Sequence, residues 1–333
     1  MKHLEGKVTL VTGATRGIGR GIAIGLGEAG ATVYITGRSL NNSYANDDIS
    51  GTLTETQLAV EQAGGVCIPV QVDHSNDEQV RLLFERIQDE QNGRLDLLVN
   101  NAYSGVKAIR DAYGRPFWDG EPSIWDACNN VGLRSHYVAS IFAARMMTKR
   151  KSGLICTISS WGSMSYLFNT AYGVGKTACD RLAADMAVEL KPYNVASVSI
   201  WPGIVGTEHI SQMASEVSQT NTTDQRNSFF SSRYNWETPL FTGRAIAKLA
   251  GDPNIMRRTG RLQIVAELAS QYGIVDENGV GEARRRHRPA SLRSLRFVLP
   301  AALPVLINYS RLIPDIKVPW SLLLLNALSS PKV

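Results

Sequence analysis

The chain has 333 residues, 44% of them hydrophobic and 20% charged, which gives it the apolar content of a globular protein and excludes a disordered or fibrous one. Its formal charge of +5 is local: residues 284–296, RRRHRPASLRSLR, carry six arginines and no acid. The nearly neutral remainder argues against nucleic-acid binding.

In chain order, MKHLEGK runs straight into VTLVTG with no room for the apolar region of a secretory signal, so an intracellular, cytoplasmic protein is expected. Short Val- and Ile-rich runs predict strands at VTLVTG (8–13), ATVYITG (31–37), VCIPVQV (66–72), LDLLVN (95–100), GLICTIS (153–159), VASVSIW (195–201) and GRLQIVA (260–266). Stretches of helical period separate most of them, including GIAIGLGEAG after Arg20 and residues 173–191. That alternation predicts an α/β fold, a Rossmann-type doubly wound parallel sheet with ligands at the carboxyl ends of the strands.

A single catalytic domain over 1–270 is expected, followed by a C-terminal extension over 271–333. Within the domain, the polar, turn-rich residues 39–56 predict a surface insertion. Residues 208–243 lack strand periodicity after a strand end and predict a substrate lid. The four cysteines, Cys67, Cys128, Cys156 and Cys179, form no CxxC pair, and the five histidines show no ligand spacing. Free thiols and no metal site are expected.

TGATRGIG, Thr12 to Gly19, follows the first strand and opens a helix. Gly13, Gly17 and Gly19 permit a tight turn whose N–H groups can approach a pyrophosphate at a helix N-terminus. At the end of the second strand, where an acid would favour NAD(H), the sequence is TGRS. Arg38 there, with Arg16 in the glycine turn, suits a 2′-phosphate, so NADP(H) is expected over NAD(H).

AYGVGK puts Tyr172 and Lys176 on one helix face, about 6 Å apart along the axis. A phenol used as a base near neutral pH needs its pKa of about 10 lowered by roughly 3, about 4 kcal/mol. A neighbouring ammonium favours that change. GLICTIS ends in Ser159-Ser160 at a strand terminus, and WPGIVGT presents Thr207 after another.

Together, TGATRGIG, the Asp73 after VQV, NNAY at 100–103, the strand-end serine, YGVGK and PGIVGT resemble the classical short-chain dehydrogenases/reductases over about residues 6–270. The resemblance implies Tyr172 as general acid, Lys176 lowering its pKa and binding the nicotinamide ribose, and Ser160 rather than Ser159 polarising the substrate oxygen. It further implies Ile18 at the pyrophosphate, Asp73 at the adenine, Asn100 beside the cofactor and Thr207 at the nicotinamide end.

Two positions depart from the family pattern. Tyr103 stands where NNAG has glycine, and in WDACNNVGLRSHY the position of the family's catalytic asparagine, seven after Trp125, is Gly132. A water beside Gly132 is expected to keep the proton relay, with Asn130 reaching in after a backbone shift as a second route. The alternative is an NADP(H)-binding sensor or interaction protein with weak catalysis.

Trp161, Tyr166, Phe168 and Trp201, with Tyr103, suggest aromatic walls for an apolar carbonyl substrate such as a steroid, retinoid or xenobiotic ketone or aldehyde. A homo-oligomer is expected. The apolar runs at 297–310 and 321–328 are shorter than the roughly 20 residues that span a bilayer. Beside the six arginines, residues 284–328 suggest peripheral contact with an anionic membrane surface, or a cover over the pocket or a subunit interface.

Overall fold

A computed structural model of the chain describes residues 2–41, 49–164, 166–219 and 236–277. Seven parallel strands form one sheet in the order β3-β2-β1-β4-β5-β6-β7. They are β1 (Val8–Val11), β2 (Thr32–Gly37), β3 (Val66–Gln71), β4 (Leu97–Asn100), β5 (Gly153–Ile158), β6 (Val195–Trp201) and β7 (Leu262–Ile264). Each lies inside an expected run. The helices are α1 (Gly17–Glu28), α2 (Leu53–Gln62), α3 (Asp77–Glu90), α4 (Val106–Asp111), α5 (Ser123–Asn129), α6 (Ser135–Arg150), α7 (Thr170–Leu190), α8 (Glu208–Gln219), α9 (Pro239–Ala250) and α10 (Val265–Tyr272).

Both faces of the sheet are covered, so β1, β2, β4, β5 and β6 are buried along nearly their whole length. Val11, Val33, Ile35 and Val99 pack on one face with Ile22, Leu26 and Phe241. Leu10, Tyr34 and Leu98 pack on the other with Val80, Phe84 and Met147. The strand order reverses between β1 and β4, which opens the crevice where ligands bind in doubly wound sheets.

Helices α1 and α9 cross with almost no side chain between them. A Cβ at Gly21 would lie 2.2 Å from the Pro239 carbonyl carbon, and one at Gly243 would lie 2.1 Å from the Gly21 oxygen. This contact corrects the extent of the expected lid. Residues 239–243 begin a core helix, in which Phe241, Thr242 and Gly243 are buried. Of the remainder, 208–219 form α8, and 220–235 lie outside the described residues.

The expected insertion at 39–56 is also shorter than predicted. Thr52 caps α2 with a reciprocal bond to Glu55, and buried Thr56 donates to the Ala14 carbonyl at 2.8 Å. Residues 53–56 thus anchor a helix against the glycine turn, while 42–48 lie outside the described residues.

Order continues past the expected boundary at 270. Asp276 is buried and its carboxylate accepts from the Thr238 N–H at 2.8 Å and from the Thr238 hydroxyl. Residues 278–333, with the arginine stretch and the expected membrane or pocket contact, lie outside the described residues. No helix among the described residues is long and apolar enough to cross a membrane. The four cysteines are free and buried, and no cluster of three or more metal-ligating side chains occurs among the described residues.

Candidate active site

The glycine turn links the ends of β1 and β4. Gly13 has φ +68° and Gly17 φ +54°, and a Cβ at Gly19 would lie 2.2 Å from the Gly13 oxygen. Only glycine fits such a turn without strain. Arg16, at the α1 N-cap, makes no side-chain capping bond, and the first turn of α1 holds no acid. Its guanidinium instead donates to the Ile49 carbonyl. Ile18 is half-buried and packs on the core beneath the turn.

Arg38 is exposed at the end of β2, and its carbonyl accepts from Gln71 at 2.8 Å. Its charge also acts on Asp73. Burial opposes ionisation of Asp73, but the Ser75 N–H and hydroxyl, helped by Arg38, hold its carboxyl below the usual range. Arg38 and Asp73 therefore lie together beyond β2 and β3.

The two asparagines after β4 divide their work. Asn100 turns toward α6 and donates to the Ser140 hydroxyl at 2.9 Å, with its own side-chain oxygen buried and without a partner among the described residues. Asn101 makes the contact with the turn, donating to the Thr12 and Gly13 carbonyls at 2.9 Å each. Its signal in the sequence is alternation: successive residues of a strand point to opposite faces.

Thr207 lies against the turn. A Cβ at Gly17 would sit 3.3 Å from the Thr207 methyl, and the Thr207 hydroxyl accepts from the Ile210 N–H at 3.3 Å. Its side chain thus meets Gly17 of the turn, whereas the family resemblance implies the nicotinamide end. The adjacent Glu208 carboxylate accepts from the Gly17 N–H at 3.4 Å.

At the end of β5, the Ser160 and Tyr172 hydroxyls are 2.8 Å apart. Ser160 also accepts from the Gly162 N–H at 3.1 Å, which fixes its oxygen. Ser159 points elsewhere and donates to the Lys176 carbonyl at 2.9 Å. Tyr172 stands in the first turn of α7, where the Asn169 cap accepts from its N–H at 2.8 Å. Gly162 makes room for the ring, since a Cβ there would lie 2.6 Å from Tyr172 Cε1.

Lys176 follows one turn later and donates to the Ile158 carbonyl at 3.1 Å. Its ammonium is 5.8 Å from the centre of the Tyr172 ring. Burial lowers the Lys176 pKa. Burial likewise pushes Tyr172 up to about 12, against the opposing Ser160 hydrogen bond. Burial thus acts against the expected depression, and the phenol stays protonated at neutral pH.

The helical path breaks between α5 and α6. Val131 has φ −104° and ψ 101°, and Gly132 has φ 142° and ψ −19°, inside a widened turn over Asn130–Arg134. Such widened turns commonly mark functional sites. A Cβ at Gly132 would lie 2.4 Å from Cδ2 of Tyr103.

The space expected to hold a relay water is thus filled by the Tyr103 ring. Asn130 is exposed and Asn129 is buried, so the second route also changes. Asn129, at the end of α5, donates to Trp125 O at 3.0 Å and to Ala171 O at 3.4 Å. Counting 100° per residue back from Gly132 misplaces these side chains because Val131 and Gly132 leave helical geometry.

Of the expected aromatic wall, Phe168 packs edge-on to Tyr172 at 5.1 Å, and Tyr166 is exposed. Trp161 is half-buried and stacks edge-on against Trp201 at 5.7 Å. Trp201 itself is 2% exposed, and its indole N–H donates to Asp180 at 3.0 Å. It is a core residue that backs the wall.

Sequence reasoning missed Glu237. The Gly203 N–H donates to its buried carboxylate at 2.9 Å, and Val205 bridges to its backbone. Burial raises its pKa to about 7. A buried acid beneath the Pro202-Gly203 turn has no periodic signature, which explains the omission.

Residues 7–218 match the family described as short chain dehydrogenase. The chain is similar to dehydrogenase/reductase SDR family member 1 of Homo sapiens, 48% identical over 278 residues, 83% of this chain and 85% of that protein. It is also similar to 7alpha-hydroxysteroid dehydrogenase of Clostridium sardiniense, 32% identical over 62% of this chain and 74% of that one. A metagenomic short-chain oxidoreductase solved in complex with NADP superposes with a TM-score of 0.53 at 30% identity, over 61% of this chain and 86% of its own. Sheet, turn and match agree: the chain belongs to the short-chain dehydrogenase/reductase family, oxidoreductases that act on CH–OH and C=O groups with NAD(P).

Proposed function

We propose that the chain is an NADPH-dependent reductase of an apolar carbonyl compound, such as a steroid, retinoid or xenobiotic ketone or aldehyde, with Tyr172 as general acid. The observation that carries this reading is the 2.8 Å contact between the Ser160 and Tyr172 hydroxyls, one helical turn from a buried lysine. Two hydroxyls converging at a strand end can bind one carbonyl oxygen, which Ser160 polarises and Tyr172 protonates.

The state of the phenol is compatible with the reducing direction of a reversible dehydrogenase. A tyrosine held up to about 12 keeps its proton at neutral pH, the form that reduction requires. Lys176 offsets the negative charge left on Tyr172 after transfer. The half-buried rings of Trp161, Phe168 and Tyr103 favour an apolar substrate. The name of the similar Clostridium protein, a hydroxysteroid dehydrogenase, supports the same class.

The residues also fit a dinucleotide. Gly13, Gly17 and Gly19 put no side chain of their own into the turn, the first turn of α1 carries no acid, and the Gly17 N–H, which here donates to the Glu208 carboxylate at 3.4 Å, is a donor suited to an anion. Ile18 would offer its backbone N–H to the pyrophosphate, Asp73 would meet the adenine, and Arg16 and Arg38 would supply charge for a 2′-phosphate. Asn100 supports this floor through Ser140, and Thr207 closes it. The bound cofactor supplies the hydride. The NADP carried by the similar metagenomic oxidoreductase supports the preference over NAD(H).

The test is NADPH oxidation over a panel of apolar ketones and aldehydes. Tyr172→Phe is expected to lower turnover at least roughly 100-fold, the lower end of general acid catalysis. Arg38→Ala is expected to raise the KM for NADPH about 10- to 100-fold, the worth of a charged hydrogen bond, and to leave that for NADH unchanged. NADPH binding with no turnover of any carbonyl would favour the sensor reading instead.

A further inference from the structure

The ring of Tyr103 is the meeting point of three elements. It fills the space that a side chain at 132 would occupy, with Cδ2 2.4 Å from a Cβ placed there. The Lys176 ammonium lies 4.9 Å from its centre, and the Tyr172 ring stands edge-on at 6.1 Å. Its hydroxyl is buried and, among the described residues, has no nitrogen or oxygen partner, only a hydrogen bond with the Cys128 thiol, so the phenol oxygen does not by itself explain why an aromatic residue stands here. The face of the ring does.

A buried ammonium needs compensation for lost water. Lys176 is 8% exposed, and among the described residues it donates one hydrogen bond, to Ile158. The groups facing it are Cys128 from α5, His136 from α6, Tyr103 from the loop after β4, and Tyr172, Cys179 and Asp180 from its own helix. Burial holds both thiols protonated and lowers His136 to about 3, so that it is neutral. Asp180 is already engaged by Ser199 and Trp201. Beside the Asp180 charge, negative potential comes from aromatic faces, which attract a cation within about 6 Å of the ring centre, and the Tyr103 face is nearer, at 4.9 Å against 5.8 Å for Tyr172.

We propose that Tyr103 is a positioning residue whose ring face holds the Lys176 ammonium charged and directed at Tyr172, in the space that glycine at 132 opens. The proposal rests on the reading of Tyr172 as the proton donor. It gives the two departures at 103 and 132 one cause: the ring enters because residue 132 has no side chain, and the lysine is held by the ring.

The test replaces Tyr103 with phenylalanine and then with mono-, di- and trifluorophenylalanine, which nearly keep the shape of the ring while draining its face of charge. Lys176 is titrated in each variant through its 13C-labelled ε-carbon. Tyr103→Phe is expected to leave the titration in place. Successive fluorines are expected to lower the Lys176 pKa stepwise, by roughly one pH unit across the series.

A flat series, or a shift already complete in Tyr103→Phe, overturns the proposal. Tyr172→Phe assayed alongside separates the two claims. If it keeps full turnover the proton-donor reading fails, whereas a flat fluorine series with Tyr172→Phe inactive removes only the role of the ring.

Discussion

The glycine turn and the α5–α6 kink border one crevice, and each places glycine at positive φ, but they exclude side chains for different reasons. At Gly13 and Gly19 the obstacle is backbone: a Cβ at the first would meet the Ala102 Cα at 2.6 Å, and a Cβ at the second the Gly13 oxygen at 2.2 Å. At Gly132 the obstacle is the Tyr103 ring at 2.4 Å. A backbone obstacle cannot be mutated away, and a ring can. The turn is therefore fixed by backbone, its own and that of the β4 end, while the kink is fixed by a glycine and one side chain.

The largest effect expected from this contrast is at Gly19. Gly19→Ala brings a methyl into the Gly13 carbonyl, and the turn must open to relieve it. NADPH binding, followed by fluorescence titration, is expected to weaken roughly 1000-fold, about 4 kcal/mol. No second substitution at Ala102 or Asn101 should restore it. Retained affinity in Gly19→Ala would show that the turn yields as a side chain does.

The kink should behave differently. Gly132→Ala combines a strained φ of 142° with a clash against the ring, together about 3 kcal/mol of stability in chemical denaturation. Pairing it with Tyr103→Ala removes the clash and leaves the strain. The double variant is therefore expected to cost less than the sum of the two single ones, with a coupling of about 1 kcal/mol or more. Strict additivity would mean that the ring does not set the residue at 132.

The same contrast explains how much was legible in the sequence. The seven strands were legible because a parallel sheet covered on both faces writes each strand as an apolar run. TGATRGIG was legible because its obstacles lie within the turn and the adjoining β4 end. YGVGK was legible because a helix keeps fixed phase over four residues. Where phase breaks, counting fails: Val131 and Gly132 leave helical geometry, and the asparagine that faces inward is Asn129 rather than Asn130. Burial of Trp201 against Asp180, the Gly21–Gly243 crossing that makes part of the expected lid a core helix, and the division of labour between Asn100 and Asn101 are all tertiary pairings. They leave no period in the chain.

A third glycine sharpens the comparison, because its obstacle is a charge. A Cβ at Gly203 would lie 2.6 Å from the Glu237 carboxylate, which is 7% exposed. Burial, with Asp276 adding to it and the Gly203 N–H opposing, raises the pKa of Glu237 from 4.5 to about 7. Below about pH 4.5 the carboxyl is protonated in both folded and unfolded chains and carries no penalty. Between 4.5 and 7 the unfolded chain releases the proton first, so the folded state holds more protons and stability falls as pH rises. Above 7 the full penalty, about 3 kcal/mol, is constant. Glu237→Gln keeps an oxygen for the Gly203 N–H and removes the titration. Its stability relative to the native chain is therefore expected to rise by about 2 to 3 kcal/mol between pH 5 and pH 8, measured by urea denaturation. An equal difference at both pH values would mean that the carboxylate under this turn is solvated. Gly203 would then belong with Gly132, facing a side chain that can move aside, rather than standing as a site where a buried proton sets the turn.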